Sequence, residues 1–274
     1  MDSKTPNFNK KIQPILDAMQ PGEKTCQFTG RRWTMTDEEI SWYKKFKVPH
    51  LDIAPLTRVQ CMMAYFTGFA WRQSKHWKTG QSVLSCVHPG TGITVLPDIE
   101  WFEEEFTDQC QDIDERLFFE QLHDLRLKVP MSASRSYVQP ENSVAMASRG
   151  DVNSYFMIAT QSKNCFYGCA TGAAESSIEF YNCHTISNSY NILHSQRIYN
   201  CKFLRECFDC LNCSFLFDCR NCENCFGAWN KRNAKYLWWN EQLSQSEWET
   251  KFKEVNLRSR KETDAHLHTF QQIL

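Results

Sequence analysis

Between residues 165 and 225, every third residue is small or apolar, and this spacing is the clearest pattern in the chain. The series runs from Cys165 to Cys225, and its 21 members are Cys, Gly, Thr, Ala, Ser, Phe, Ile or Leu. Every charged residue of this window lies at one of the other two positions of each triplet. Because an ordinary strand alternates its faces with a period of two, the pattern predicts a chain that bends often around a narrow, uncharged interior.

A longer repeat, with a period of eighteen residues, runs through the same window. It is carried by four cysteines, each preceded by Asn or Asp: Cys165, Cys183, Cys201 and Cys219. Self-similarity at a short fixed period is typical of a solenoid. We therefore predict a mainly β fold with a parallel β-solenoid over residues 144–230. Its 18-residue turns would stack about 4.8 Å apart, with these four cysteines above one another.

The cysteines of this window have two main interpretations. In the first they are inert core thiols, because free cysteine is commonly buried and behaves as a small hydrophobe; Cys207 then takes the place that Ser189 and Thr171 hold earlier in the repeat. In the second, two C-x-x-C-x-x-C runs hold zinc or an iron–sulfur cluster through thiolates. The candidate ligands are Cys207, Cys210, Cys213, Cys219, Cys222 and Cys225. We favour core thiols, keep the metal site as the alternative, and rank redox or disulfide chemistry below both.

The remaining sequence predicts short elements on both sides of the solenoid. Four Thr-Gly pairs, several of them before runs such as GQSVLSCV, indicate turns between strands. The predicted organisation is an N-terminal arm with a short helix (1–24), a small antiparallel β module (25–110), an amphipathic helix with a linker (111–143), the Cys-rich solenoid (144–230) and a C-terminal cap with a helix (231–274).

Two of the predicted helices have a defined apolar face. The segment DIDERLFFEQLHDLRLK has helical spacing of its apolar residues, which are Ile113, Leu117, Phe118, Leu122 and Leu125. Near the C-terminus, Ser246 and Glu249 offer a capping box for a last helix. Its buried face is marked by Trp248, Phe252 and Val255.

The composition narrows the class of protein. The 274 residues are 42% hydrophobic and 23% charged with a formal net charge of −1, which are globular values and argue against a strongly basic nucleic-acid surface. The chain has no long apolar run of the kind that spans a membrane, and residues 1–24 lack the apolar core of a secretory signal. Fourteen cysteines without such a signal favour reduced thiols. We expect an intracellular, reducing location. The cytoplasm is the first expectation, and an organelle or a virion is the second.

Familiar catalytic patterns are missing from the sequence. It contains no G-x-S-x-G, no Walker loop, no dinucleotide-binding glycine fingerprint and no H-E-x-x-H. The acidic stretch over residues 98–108 is interpreted as a solvated face. Basic residues accumulate late in the chain beside Trp238 and Trp239, where phosphate contacts and stacking would suit RNA. These basic residues are Lys231, Arg232, Lys251, Lys253, Arg258 and Arg260.

Three segments together resemble a group of bacterial proteins: CQFTGRRWTMTDEEISWYKKF, KTGQSVLSCVHPGTGITVLPDIEWFEEEF and NCENCFGAWNKRNAKYLWWNEQLSQSEWE. The group comprises uncharacterised Cys-rich zinc-ribbon and repeat proteins of candidate-phyla-radiation (Patescibacteria-type) bacteria, some mislabelled as CaiB/BaiF family. The resemblance covers most of residues 25–255 and implies an N-terminal zinc ribbon and a Cys-rich repeat. Here Thr29 stands where a second cysteine would follow Cys26, and only Cys61 remains of the second pair. We therefore expect a degenerate, metal-free ribbon, and the resemblance implies no reaction.

These observations lead to an expectation about function. We expect a non-catalytic structural or interaction protein, a scaffold subunit of a large macromolecular assembly such as a ribosome or a viral particle. No cofactor is expected, and the partners would be other protein subunits, with RNA contact through the basic residues named above. The alternative is a zinc- or iron–sulfur-binding module that contacts nucleic acid through its basic C-terminal segment.

Overall fold

The computed structural model describes residues 8–64, 68 and 70–273. The chain divides into two compact units, Met1–Phe66 and Thr67–Leu274. The helices are α1 (Phe8–Asp17), α2 (Asp37–Phe46), α3 (Pro55–Met63), α4 (Asp98–Glu103), α5 (Phe118–Lys128), α6 (Gln245–Lys253) and α7 (Arg260–Gln271), with short 3-10 helices at Pro89–Thr91 and Thr107–Gln109. None of these described helices combines the length and the hydrophobicity that a membrane span requires.

The strands are short, and most of them belong to one parallel system. They are β1 (Gly22–Thr25), β2 (Arg32–Met35), β3 (Arg72–Lys75), β4 (Ser82–Ser85), β5 (Val95–Leu96), β6 (Met131–Ser132), β7 (Val144–Met146), β8 (Tyr155–Lys163), β9 (Phe166–Glu175), β10 (Ile178–Tyr181), β11 (His184–Ser187), β12 (Tyr190–Leu193), β13 (Gln196–Tyr199), β14 (Lys202–Arg205), β15 (Phe208–Leu211), β16 (Ser214–Phe217), β17 (Phe226–Trp229), β18 (Leu237–Trp238) and β19 (Glu241–Gln242).

The first unit combines a β-hairpin with three short helices. Strands β1 and β2 pair antiparallel across a hairpin turn in which Gly30 has a φ of +67°, a conformation that favours glycine. Helix α2 begins after Thr36, whose hydroxyl accepts a hydrogen bond from the Glu39 amide at 3.1 Å. The apolar core of this unit is Ile12, Leu16, Met19, Met35 and Ile40. The helix predicted in the N-terminal arm is therefore present as α1 and supplies part of this core.

The second unit begins with another antiparallel hairpin, β3–β4. A parallel pair of β5 and β6 follows, and the apolar cluster beside them is Val87, Ile93, Val95 and Ala133. The small antiparallel sheets predicted before the solenoid are thus confirmed. The single β module predicted over residues 25–110 is instead divided, with one hairpin in each unit.

A parallel β-solenoid of about 8 turns follows, and this prediction is confirmed. In one sheet of the solenoid, Ile178 aligns with Tyr190 and Tyr190 with Lys202. The hydrogen bond from the Asn200 side chain to Asn212, which joins neighbouring turns, spans 12 residues, and the aligned pairs have the same separation. The predicted eighteen-residue turn is therefore wrong.

The eighteen-residue repeat in the sequence has a geometric cause, because it equals one and a half of these turns. Residues at that spacing lie on opposite sides of the interior, and the two sides have similar side chains. Cys165 and Cys201 belong to one column of stacked residues, whereas Cys183 and Cys219 belong to the column across from it. The four cysteines expected along one line therefore form two lines.

The three-residue spacing comes from the backbone conformation. Through most of the solenoid, one residue in three has a positive φ near 50° and directly precedes an inward-pointing residue, as at Asn188, Asn200 and Asn212. Each such residue bends the chain, so the next inward position comes after three residues instead of two. Asn and Asp adopt this left-handed conformation more readily than most residues, which explains their frequency here. All 21 residues of the predicted inward series are buried, which confirms that prediction.

The first turns of the solenoid are shorter than the later ones. Tyr155 pairs with Phe166, and the bond from the Cys165 amide to the Ser154 hydroxyl, which joins the same two turns, spans 11 residues. The register shifts between Thr160 and Gln161, and the following turns are one residue longer. The early turns also contain the fully buried Asp151, so they differ from the later turns in chemistry as well as in length.

Helices α6 and α7 cover one sheet of the solenoid near its C-terminal end. Phe270 of α7 packs against Phe215 with ring centroids 6.0 Å apart, and Phe252 of α6 packs against Phe226 at 6.2 Å. The same cluster includes Trp238, Trp239, Val255 and Leu267. The C-terminal segment therefore contributes to the stability of the solenoid instead of extending away from it.

The cap of helix α6 lies two residues earlier than predicted. The capping box is formed by Ser244 and Glu247, not by Ser246 and Glu249. The Ser244 amide donates to the Glu247 carboxylate at 2.9 Å, and the Glu247 amide donates to the Ser244 hydroxyl at 3.3 Å. Trp248 is buried, as predicted.

The helix predicted over residues 112–128 is shorter and faces the other way. Helix α5 begins at Phe118, and its one buried residue is Gln121. The expected apolar face is largely exposed, at Ile113, Leu117, Phe118 and Leu122. The spacing of apolar residues predicted a helix correctly but not the side that faces the interior.

Candidate functional site

The predicted site lies in the interior of the solenoid, which consists of four columns of stacked side chains. The two corner columns hold Ser, Thr and Cys, and the two columns in the middle of the sheets are mostly apolar. The corner columns are Cys165, Ser177, Ser189, Cys201, Cys213 and Cys225 on one side and Thr171, Cys183, Ser195, Cys207 and Cys219 on the other. Cys210 and Cys222 continue the apolar column that contains Ile186 and Ile198. The six predicted metal ligands are therefore divided among three columns.

Every corner side chain donates a hydrogen bond to the carbonyl oxygen two residues earlier, and the hydroxyls and one thiol also accept a bond from an amide of the next turn. The Ser195 hydroxyl donates to the carbonyl oxygen two residues earlier at 2.7 Å and accepts from the Cys207 amide at 3.0 Å. The Cys201 thiol donates to the carbonyl oxygen two residues earlier at 3.2 Å and accepts from the Cys213 amide at 3.3 Å. Because Ser195 and Cys201 make the same two bonds, the corner position suits a small side chain that can both donate and accept. Sulfur here is therefore more than an apolar filler.

The six thiols of two successive turns lie beside one another. Cys222 is central, because its sulfur lies near the thiols of Cys210, Cys219 and Cys225. Cys207 likewise neighbours Cys210 and Cys219. The thiols also donate to backbone carbonyl oxygens, as Cys219 does to the carbonyl two residues earlier at 3.4 Å. The fold thus brings together the six cysteines that the sequence spacing singled out.

Burial keeps several of these thiols protonated. It raises the pKa of Cys183 to about 11 and raises the pKa of Cys207 and of Cys213 well above the ordinary value. The thiolate, not the thiol, is the nucleophile and the metal ligand. At neutral pH Cys183, Cys207 and Cys213 are therefore neutral hydrogen-bonding groups, whereas the neighbouring thiols lower the pKa of Cys222.

Among the residues that the structure describes, no group of three or more His, Cys, Asp or Glu side chains is arranged to hold a metal ion. Every cysteine is a free thiol, and only Cys61 and Cys110 are exposed. The geometry suits core thiols. The metal interpretation stays a prediction, which elemental analysis can decide.

Cys26 begins the first hairpin turn, in the sequence CQFTG. The Gly30 amide donates to the Cys26 carbonyl oxygen at 2.9 Å. The side chain is buried, and the Thr29 hydroxyl, aided by backbone amides that include that of Ala54, lowers the pKa of its thiol to about 6. Hydrogen-bond donors therefore surround this sulfur, and the residue that replaces the second cysteine of a zinc ribbon is one of them.

His76 takes the corresponding place in the second hairpin turn, in the sequence HWKTG. The Gly80 amide donates to the His76 carbonyl oxygen at 2.9 Å. The Lys78 amide donates to His76 Nδ1 at 3.2 Å, and Nε2 lies 3.1 Å from Glu100 Oε2. The shared pattern x-x-T-G after Cys26 and His76 is a signal for two equivalent hairpins that the sequence reasoning missed.

The residues predicted to contact RNA lie on several elements, and half of them have local partners. Arg232 pairs with Asp218 at 2.7 Å and Arg260 with Asp264 at 2.9 Å, while the Lys251 ammonium lies 5.6 Å from the centre of a tryptophan ring. The other three make no ion pair within the described ranges. The RNA contact therefore stays a prediction that three residues could support without losing an existing contact.

Asp151 is a buried carboxylate that the sequence reasoning did not single out. It is fully buried in the early turns of the solenoid. The Ser148 hydroxyl donates to it at 2.6 Å and the Thr160 hydroxyl at 2.7 Å, and the Ser162 hydroxyl also donates to it. Charged side chains are seldom buried without compensating hydrogen bonds, so this carboxylate and its three hydroxyls form one structural unit.

Asp98 corrects the interpretation of residues 98–108 as a solvated face, because it is buried. Its carboxylate accepts hydrogen bonds from the amides of Ser134 at 2.9 Å and Ser136 at 3.0 Å. Burial raises the pKa of Asp98, but the hydroxyls of Ser132 and Ser134 and these amides lower it more, so the net pKa lies below its ordinary value. These donors belong to the Ser-rich run SASRS, residues 132–136, which was the sequence signal for a buried acceptor.

No family model, no curated protein and no solved structure matches this chain. The fold and the site are therefore interpreted from the residues of the chain itself. The resemblance to Cys-rich zinc-ribbon and repeat proteins stays a prediction.

Proposed function

We propose that this chain is a non-catalytic structural or interaction protein that acts as a subunit of a larger assembly. One observation supports this most directly. The solenoid cysteines, which were the strongest candidates for metal binding or catalysis, point into the interior and make hydrogen bonds to the backbone. Reactive thiols are usually low in pKa and accessible, whereas these are buried and several have raised pKa values. Their role is to hold the turns together.

The exterior of the solenoid fits a role in contacts with other molecules. Each turn of a solenoid contacts only its neighbours, so the fold leaves long faces available. On the sheet that carries β13 and β15, Arg197 pairs with Asp209 at 2.7 Å, and on the adjoining corner Asn200 donates to Asn212 at 2.7 Å. Such ladders of side chains between turns keep this surface ordered. A stiff, ordered surface is what a scaffold subunit requires.

We place the protein in a reducing compartment, with the cytoplasm as the first choice. A disulfide between neighbouring core thiols would remove the hydrogens that they donate to carbonyl oxygens. These carbonyl oxygens would keep their backbone donors, the amides of Asn224 and Asn230, but each lost thiol hydrogen bond would remove about 0.5–1.5 kcal/mol of stability. Reduction therefore suits the interior that the structure shows.

The first experiment is elemental analysis of the full chain purified without chelators, together with its native size in extracts of its source. We expect no stoichiometric zinc or iron and a native size well above the 32.2 kDa of the chain. Stoichiometric metal whose removal by a chelator unfolds the protein would support the alternative, a zinc- or iron–sulfur-binding module. A free chain at its own mass would contradict the assembly role.

The second experiment is thiol labelling of the native, reduced chain. Cys61 and Cys110 are exposed, so we expect two of the 14 thiols to react rapidly. The others should react only at the rate at which the protein opens. After denaturation all 14 should react. Rapid labelling of the solenoid thiols in the native protein would contradict the interior described above.

A further inference from the structure

The segment around the start of α5 has its polar residue inside and its apolar residues outside. Gln121 is 4% exposed, whereas Phe119 is 79% exposed. An ordinary surface helix has the opposite arrangement. The exposed apolar side chains within ten residues of sequence are Ile113, Leu117, Phe118, Phe119 and Leu122, and we call this group the α5 patch.

The α5 patch is held in a defined conformation. The Gln121 side chain donates to the carbonyl oxygens of Asp114 at 3.2 Å and Arg116 at 2.7 Å, and it accepts from the Asp114 amide at 2.9 Å. The Arg116 guanidinium also reaches Asp124 of α5 at 2.6 Å. These bonds fasten the loop that carries Ile113 and Leu117 to the helix. The exposure of the patch is therefore built into the fold and does not result from a frayed end.

The segment that carries the patch is acidic. Residues 112–124 contain five Asp and Glu but only one Lys or Arg, a net charge of −4 (1 − 5). Asp112, Glu115 and Glu120 make no ion pair with any residue in the described part of the chain. An apolar centre with a polar, charged edge is the usual anatomy of a protein interface. The edge here attracts a basic partner and repels both nucleic-acid phosphates and a second copy of the same segment.

We propose that the α5 patch binds a segment of another protein in which Lys and Arg flank apolar side chains. This inference rests on the proposed function, because it names the chemistry of one partner of the scaffold. Phe118 and Phe119 would be the central anchors, with ring centroids 5.6 Å apart. Aromatic residues at the centre of an interface often carry most of its binding energy. Glu115 and Glu120 would pair with the basic residues and speed association.

The test measures binding of the full, reduced chain to two synthetic amphipathic helical peptides, one of Leu and Lys and one of Leu and Glu at the same positions. We expect the Leu/Lys peptide to bind and the Leu/Glu peptide not to bind. Phe119→Ser should weaken binding at least about tenfold, and Glu120→Lys should weaken it and reduce its dependence on salt. Tyr137→Ser is the matched control, because Tyr137 is 75% exposed outside the patch, and it should leave binding unchanged.

Several outcomes would overturn the inference. They are equal binding of both peptides, binding that Phe119→Ser does not change, and a wild-type dimer that Phe119→Ser converts to a monomer, which would make a second copy the occupant. Phe119→Ser should keep the wild-type circular dichroism because its side chain is exposed. If the chain occurs in a large native complex that Phe119→Ser leaves intact, the scaffold role stands and the α5 patch is not its docking site. If no such complex exists, the proposed function fails first.

Discussion

The early and late turns of the solenoid meet the same backbone requirement with different atoms. Between Thr171 and Ser195, four of the five corner residues carry hydroxyls; from Cys201 to Cys225 every corner residue is a cysteine. Both kinds of side chain donate to the carbonyl oxygen two residues earlier, and Ser195 and Cys201 both also accept from an amide one turn later. The comparison teaches that the backbone selects a small side chain that donates and accepts, and that the neighbours decide between oxygen and sulfur.

The neighbours differ clearly between the two regions. In the early turns Asp151 gathers hydroxyl groups around a buried charge. In the late turns the thiols lie beside other thiols, and the aromatic cluster around Phe215 and Phe226 covers the adjacent sheet. A thiol is a weaker hydrogen-bonding group than a hydroxyl and is more apolar. Sulfur therefore suits the covered late turns, whereas the hydroxyls that satisfy the carboxylate belong to Ser148, Thr160 and Ser162, which precede the corner residues compared above.

The largest effect is expected from a substitution that removes the central carboxylate of the polar unit in the early turns. Asp151→Leu leaves the hydroxyls of Ser148, Thr160 and Ser162 without their acceptor in a buried site. Each buried, unsatisfied group costs about 1–3 kcal/mol, so we expect the free energy of unfolding to fall by at least about 3 kcal/mol. Urea denaturation followed by circular dichroism at neutral pH measures this change.

The control is Asp209→Asn, on the exterior of the late turns, because Asp209 has a φ of +54° and Asn tolerates this left-handed conformation. Asp209 is exposed and pairs with Arg197, and exposed ion pairs contribute about 0–1 kcal/mol. We expect a loss of less than about 1 kcal/mol for this variant. Equal losses for the two variants would show that Asp151 is not the centre of a polar unit.

The comparison also explains which features could be predicted from the sequence. The three-residue spacing of inward positions could be predicted because a narrow interior excludes every long or charged side chain. The structure buries each member of the series from Cys165 to Cys225. The length of a turn was misjudged because the two sides of the interior are alike, so a spacing of one and a half turns aligns Cys with Cys. Asn188, Asn200 and Asn212 recur once in every true turn and would have given the correct length.

Other features depended on contacts that no local pattern contains. The spacing of apolar residues around α5 predicted a helix, but the side that faces inward is set by Gln121 and its bonds to a preceding loop. Asp98 lies among acidic residues and resembles them in sequence. Its burial follows from the amides of Ser134 and Ser136, which come 36 and 38 residues later. Such long-range pairing is a property of the fold and not of the segment.

The next prediction concerns the pH dependence of stability. It rests on Asp98, which precedes the solenoid in the sequence. Its pKa in the folded protein lies below its ordinary value, so its ionised form stabilises the fold above about pH 4. That stabilisation is lost as the pH falls below the unfolded pKa toward the folded one. We expect the unfolding free energy to decrease between about pH 5 and pH 2 and the decrease to be smaller in Asp98→Asn. Urea denaturation across this range measures both slopes, and an unchanged slope in the variant would contradict the assignment.

The smallest expected effect tests the equivalence of oxygen and sulfur directly. Ser195→Ala removes one donor and one acceptor from a buried corner and should lower the unfolding free energy by about 1–2 kcal/mol. Ser195→Cys restores both and should stay within about 1 kcal/mol of the natural chain, because Cys201 makes the same two bonds one corner later. Ser187→Ala, on the exterior, should change little. If Ser195→Cys were as destabilising as Ser195→Ala, the corner would require oxygen specifically, and the thiols of the late turns would need a different explanation.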